Sequence, residues 1–101
     1  MKKATFVVLL GLLASPALAQ QWICDADYPA SALQERREGT VEVELTFDRS
    51  GRLVRCTVTR SSGTALLDAT TCRLLRQRAR VAAGEPRVRT YEHHWRLPPQ
   101  S

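Results

Sequence analysis

The segment Thr40-Val41-Glu42-Val43-Glu44-Leu45-Thr46-Phe47-Asp48 decides the fold. Val41, Val43, Leu45 and Phe47 alternate with Glu42, Glu44, Thr46 and Asp48. A period of two sends one set to a buried face and the other to water, so this is a half-buried strand. Asp48-Arg49-Ser50-Gly51 comes next with turn chemistry, Gly51 being free to take a positive φ. Leu53 to Arg60 forms a second strand with Val54, Cys56 and Val58 on one face, and the two close as a hairpin.

On the N-terminal side, Pro29 suits a first helical turn, and Ala30, Ala32 and Leu33 favour a short helix to about Arg37, ended by Glu38-Gly39. On the C-terminal side, Ser61-Ser62-Gly63-Thr64 breaks the second strand and supplies hydroxyls to cap a helix. That helix runs from Ala65 to about Arg80. Leu67, Thr71, Leu74 and Leu75 share its inner face, and Cys72 and Ala79 extend that face. Ala83-Gly84-Glu85-Pro86 is a second break. A third strand runs from about Arg87 to Leu97, with Tyr91, His93, Trp95 and Leu97 on one face, and Pro98-Pro99 stops it.

A tight turn makes the first two strands antiparallel. The third is reached from the second across one helix, so it runs with the second and pairs antiparallel with the first. The expected fold class is α+β: a two-layer αββαβ domain with a three-stranded antiparallel sheet of order 2-1-3 and one main helix packed on one face. The third strand then lies at an exposed edge.

Upstream, Lys2-Lys3, an apolar run from Ala4 to Ala14 and Ala17-Leu18-Ala19 have the form of a secretory signal peptide. The expected organisation is a signal peptide over 1–19, a lead over 20–27, a domain over 28–97 and a tail over 98–101. Cleavage after Ala19 is expected to leave a mature chain starting at Gln20 and to place it in the periplasm. Removing nineteen residues and two lysines from 101 residues of net charge +5 leaves 82 residues of net charge +3. A chain of this size excludes a multidomain enzyme and a polytopic membrane protein.

In an exported chain a disulfide is the default for nearby cysteines. Cys56 on the inner face of the second strand and Cys72 on the sheet-facing side of the helix form the expected pair, against the alternative of two buried free thiols. Cys24 is left without a partner. His93 and His94 are adjacent on a strand and face opposite sides, so no metal site is expected. Arg73, Arg76, Arg78 and Arg80 read as a solvated helix face rather than a nucleic-acid surface, and Ser61 and Ser62 as turn and cap residues rather than nucleophiles. No cofactor, small-molecule substrate or catalytic group is expected. Tyr91 and Trp95 read as core residues with polar tips that also suit the lining of a peptide groove.

Six pieces stand in order: Tyr28-Pro29-Ala30, Glu38-Gly39-Thr40-Val41, Gly51-Arg52-Leu53, Ser61-Ser62-Gly63, Leu67-Asp68 and Arg78-Ala79-Arg80-Val81. Together they resemble the TonB C-terminal domain, over Tyr28 to Leu97. Val81 departs from the pattern where an aromatic is usual, and Ala82-Ala83 lacks the proline usual after it. The resemblance implies a module that binds the short periplasmic "box" peptide of outer-membrane receptors by taking it as an extra strand, in siderophore and nutrient transport. An open third strand fits that mode. The expected partner-binding residues are Arg89, Thr90, Tyr91, Glu92, His93 and Trp95, and strand exchange at the same edge is a route to a homodimer. With a cleavable leader and no Pro-rich spacer, the chain is expected to keep recognition and lack energy transduction. Two rival readings stay open: a secreted inhibitor or structural envelope domain of the same fold, and a transducer anchored by an uncleaved signal.

Overall fold

A computed structural model describes residues 21–98. The leader over 1–19, and the tail beyond Pro98, lie outside the described residues. In chain order the elements are a 3-10 turn at Asp25–Asp27, α1 (Ala30–Gln34), β1 (Gly39–Phe47), β2 (Leu53–Arg60), α2 (Ala65–Arg78) and β3 (Arg87–Trp95). The sheet has the order β2-β1-β3, with both pairings antiparallel. This is the two-layer α+β arrangement that the alternation of β1 and the crossover through α2 predict.

β1 is the central strand and supplies the sheet's share of the core. Val41, Val43, Leu45 and Phe47 are buried, as are Leu67, Leu74, Leu75 and Ala79 from α2 and the residue after it. The two faces remove a contiguous apolar surface from water, which is the main term holding a domain this small together. Among the described residues the buried polar side chains are Thr70 and Thr71, and Thr71 is satisfied inside the layer. Thr71 donates its hydroxyl to the Leu67 carbonyl at 2.7 Å and accepts the Trp95 indole N–H at 2.9 Å. Trp95 is thereby enclosed at the end of β3, and Tyr28 packs edge-on against it with ring centroids 5.2 Å apart.

Three local departures from the sequence reading have identifiable causes. α1 is shorter than expected: it ends at Gln34, and Arg36 takes φ +53°, the left-handed region, to turn the chain into β1. The Tyr28 hydroxyl, which donates to the Arg37 carbonyl, fixes this turn. α2 ends at Arg78 rather than Arg80, and Arg80 instead bridges to Arg52 beside β2. β2 carries two register shifts against β1, one between Glu42 and Val43 and one between Thr46 and Phe47. The second sets two β2 residues against one on β1, so Leu53 and Cys56 face inward and Val54 turns out at 61% exposure. The inward placement of Val54 is therefore corrected; a bulge does not show in an alternating pattern.

Cys56 and Cys72 are joined in a disulfide with Cα atoms 5.8 Å apart, tying β2 to α2. The Ser61-Ser62-Gly63 turn is held by Asp68. The Ser62 N–H and hydroxyl donate to Oδ1 at 2.9 and 2.8 Å, and the Ser61 hydroxyl donates to Oδ2. Burial works to raise the Asp68 pKa, but these bonds outweigh it and hold the carboxyl below its usual range. At Gly39 any Cβ would collide with the Ser62 carbonyl oxygen, so this turn and β1 approach as closely as glycine allows.

Candidate functional site: the open edge of the sheet

The two sheet edges differ. The β2 edge is bulged twice, and the residues just before it are engaged by the segment after α2: Arg52 bridges Arg80, and the Val81 N–H donates to the Gly51 carbonyl at 3.0 Å. β3 pairs with β1 in an unbroken register from Phe47 opposite Arg87 to Gly39 opposite Trp95. Among the described residues, no strand lies on its other side. A regular strand with one bare side presents a ladder of unpaired N–H and C=O groups.

The bonding direction of each β3 residue is set by its neighbours. The Asp48 N–H donates to the Arg52 carbonyl at 3.0 Å, so Asp48 turns its main chain towards the β2 side. Alternation then directs Glu42, Glu44 and Thr46 towards β2 and Val41, Val43, Leu45 and Phe47 towards β3. Their partners Arg87, Arg89, Tyr91 and His93 must bond inward to β1. Val88, Thr90, Glu92 and His94 are left with N–H and C=O directed out of the sheet. Two contacts agree. The Thr40 hydroxyl and His94 Nδ1 meet at 2.9 Å, as side chains of a non-bonded pair do, and the Leu97 N–H turns to Glu38 Oε2 at 3.0 Å on the β1 side.

The segment before the domain flanks this edge. α2 covers β1 and β2, while residues 22–25 lie against β3. Ile23 is buried, and Trp22 packs on Tyr91 with ring centroids 5.4 Å apart. The guanidinium of Arg78 clamps the segment. Its Nη1 donates to the Trp22 carbonyl at 2.9 Å and to Asp27 Oδ2 at 2.8 Å, and its Nη2 donates to Asp27 Oδ1 at 2.9 Å. That paired geometry, helped by the Cys24 N–H, holds the Asp27 carboxyl far below the usual carboxylate range. An open cleft of about 460 Å³ remains between segment and strand, lined by Gln21, Ile23, Cys24, Asp25 and the consecutive β3 residues Tyr91, Glu92, His93 and His94.

The predicted site residues divide into three groups. Thr90 and Glu92 are exposed and bond outward. Arg89, Tyr91 and His93 bond inward but present side chains beside the edge: Arg89 is exposed, while Tyr91 and His93 are half-buried. His93 stands edge-on to Trp95 with ring centroids 4.6 Å apart, and burial, then the charge of His94, pushes its pKa down. Trp95 is different. Its side chain is 1% exposed and bonded to Thr71, so it anchors the strand and offers no surface to a partner. Sequence reasoning missed Val88 and His94 as outward-bonding positions, and missed the flanking segment altogether. Trp22 and Ile23 belong to no periodic pattern, and only Asp27 with Arg78 hints at what fastens them. Among the described residues, no group of three or more metal-ligating side chains gathers, and no helix is long and apolar enough to cross a membrane.

The fold and its edge define a small α+β domain with one regular, open strand. The family described as the Gram-negative bacterial TonB protein C-terminal matches residues 25–98, and the chain belongs to that family. The NMR solution structure of the Helicobacter pylori TonB C-terminal domain (residues 179–285) has the same fold, with a TM-score of 0.56 at 18% identity, covering 91% of this chain and 82% of that one. No curated protein matches the chain in sequence. Family membership makes this a TonB-like module; domains of that family are typically periplasmic or envelope domains that engage outer-membrane receptors, and the family is non-enzymatic.

Proposed function

We propose that the chain is a periplasmic binding module that takes the box peptide of an outer-membrane TonB-dependent receptor as a fourth strand along β3, in the uptake of siderophores or similar nutrients. The unbroken β3 ladder carries this reading: four successive outward pairs of N–H and C=O groups, at Val88, Thr90, Glu92 and His94, face water beside an open cleft. Main-chain bonds to these groups supply affinity and tolerate sequence variation, which suits a module meeting more than one receptor. The signal peptide over 1–19, cut after Ala19, delivers the domain to the compartment where such peptides hang from the receptors. The partner-facing residues are Arg89, Thr90, Tyr91, Glu92 and His93, with Trp95 fixing the strand from behind.

The test is a titration of the isotope-labelled domain with a receptor box peptide, monitored by amide resonances and hydrogen exchange. The amides of Val88, Thr90, Glu92 and His94 gain protection on binding, while those of Arg89, Tyr91 and His93, already bonded to β1, do not change. Protection appearing on β2 instead, or on no strand, refutes the proposal. Pairing of two copies through the same edge gives the same amide pattern without peptide and is separated by its dependence on protein concentration.

A further inference from the structure

A strand pairing with the outward groups of Val88, Thr90, Glu92 and His94 sets its residues side by side with those of β3, face matching face, whichever way it runs. The partner's inner-face residues therefore meet Arg89, Tyr91 and His93, and its outer-face residues meet Thr90, Glu92 and His94. Two of these neighbours are charged and opposite in sign. Arg89 is exposed and, among the described residues, takes part in no ion pair. Glu92 is exposed and stands directly opposite Glu42 of β1, a like-charge pair on one face. Its other neighbour is His94, with Nε2 at 3.4 Å from Oε1. Like charges directly across a sheet are unfavourable, and a cation on the open side of Glu92 relieves this one.

We infer that Arg89 and Glu92 fix the register and direction of the incoming strand by selecting a peptide with an acidic and a basic side chain three positions apart, the acid beside Arg89 and the base beside Glu92. This rests on the strand-addition reading above. Main-chain bonding alone leaves an added strand free to slip by two residues or to reverse. The two charges stand three positions apart, so they lie on opposite faces of the sheet, as do positions three apart in an extended peptide. Slippage by two residues moves the base from Glu92 to Thr90 or His94, so that match is lost in either direction. Reversal exchanges them, so the order of the charges in the peptide decides whether the strand runs with β3 or against it.

Labelled extended peptides that differ only in these two positions test the inference by fluorescence anisotropy: acid-then-base, base-then-acid, and uncharged. Both charged orders bind on the order of tenfold more tightly than the uncharged peptide, in opposite directions that a spin label at one peptide end reports by broadening the Val88 or the His94 amide, and the gain shrinks as added salt screens the exposed charges. The doubly exchanged variant Arg89→Glu, Glu92→Arg inverts the direction in which each order runs. Both sites are exposed, and an unchanged thermal midpoint confirms that this variant is folded. No gain of either charged order over the uncharged peptide, or a direction that does not follow the charge order, overturns the inference while strand addition stands. Failure of the wild-type domain to bind any of the three peptides overturns both.

Discussion

Proline distinguishes the two sets of β3 residues, because the consequence of removing an N–H depends on where that N–H points. At Thr90 the group faces out, so Thr90→Pro leaves the β1–β3 ladder intact and lowers stability by only about 1 kcal/mol or less. At Tyr91 the N–H bonds inward to the carbonyl of Val43, which is fully buried. Tyr91→Pro strands that carbonyl and costs about 1–3 kcal/mol, with further loss where the ring meets β1. Binding should respond in the opposite sense. Thr90→Pro removes one main-chain bond to an added strand and obstructs its neighbours, a loss of about 2 kcal/mol or more, or roughly thirtyfold in Kd. Glu92→Pro behaves alike. Urea unfolding measures the first quantity and anisotropy of a labelled box peptide the second, with Arg73→Ala on the solvated side of α2 as an unaffected control. If Thr90→Pro and Glu92→Pro fold with near-native stability and bind as the wild type does, the peptide is not added to β3.

Cys72→Ser opens the β2–α2 link and lowers the unfolding free energy by about 2–4 kcal/mol, checked by chemical denaturation with and without reductant. Trp95→Phe leaves Thr71 without its indole donor inside the core and costs about 2 kcal/mol or more, seen as a lower urea midpoint. The folded-state pKa of Asp27 lies far below its unfolded value of about 3.9, so its contribution is complete above that value and is lost as pH falls below it. Wild-type stability should drop on acidification from about pH 5 to pH 2 more steeply than that of Asp27→Asn, which has no such proton to take up. Parallel slopes in paired urea titrations would refute the assignment.

β1, the hairpin turn and the crossover helix were legible because each is written in a local period: two for Val41 to Phe47, near 3.6 for Leu67 to Leu75. The Cys56–Cys72 link came from those faces. What could not be read arises from contacts between distant residues. Val54 turns outward because β2 holds one extra residue opposite the Thr46–Phe47 step of β1, a mismatch that no single strand's pattern reveals. Arg78 looks like its neighbours Arg73 and Arg76 in sequence, yet it holds Asp27 and the Trp22 carbonyl. Which β3 amides face outward was equally hidden, since alternation of side chains gives the faces of a strand but not its sides. That required the bond from Asp48 to Arg52.

The position of β3 also governs the order in which the molecule is assembled. β1, β2 and α2 are neighbours in sequence and close through a short turn and one crossover, whereas β3 must return across the whole of β2 and α2 to pair Trp95 with Gly39. Loop closure over that distance is the costlier step in entropy, and contacts of high sequence separation slow folding. Until it occurs, the central strand has a bare side and the core lacks its indole. Docking of the strand that later serves as the template is therefore the step that closes the longest loop. An arrested chain would expose β1, whose inner face is far more apolar than the edge presented by the finished domain, so aggregation during refolding should track the lifetime of that open state.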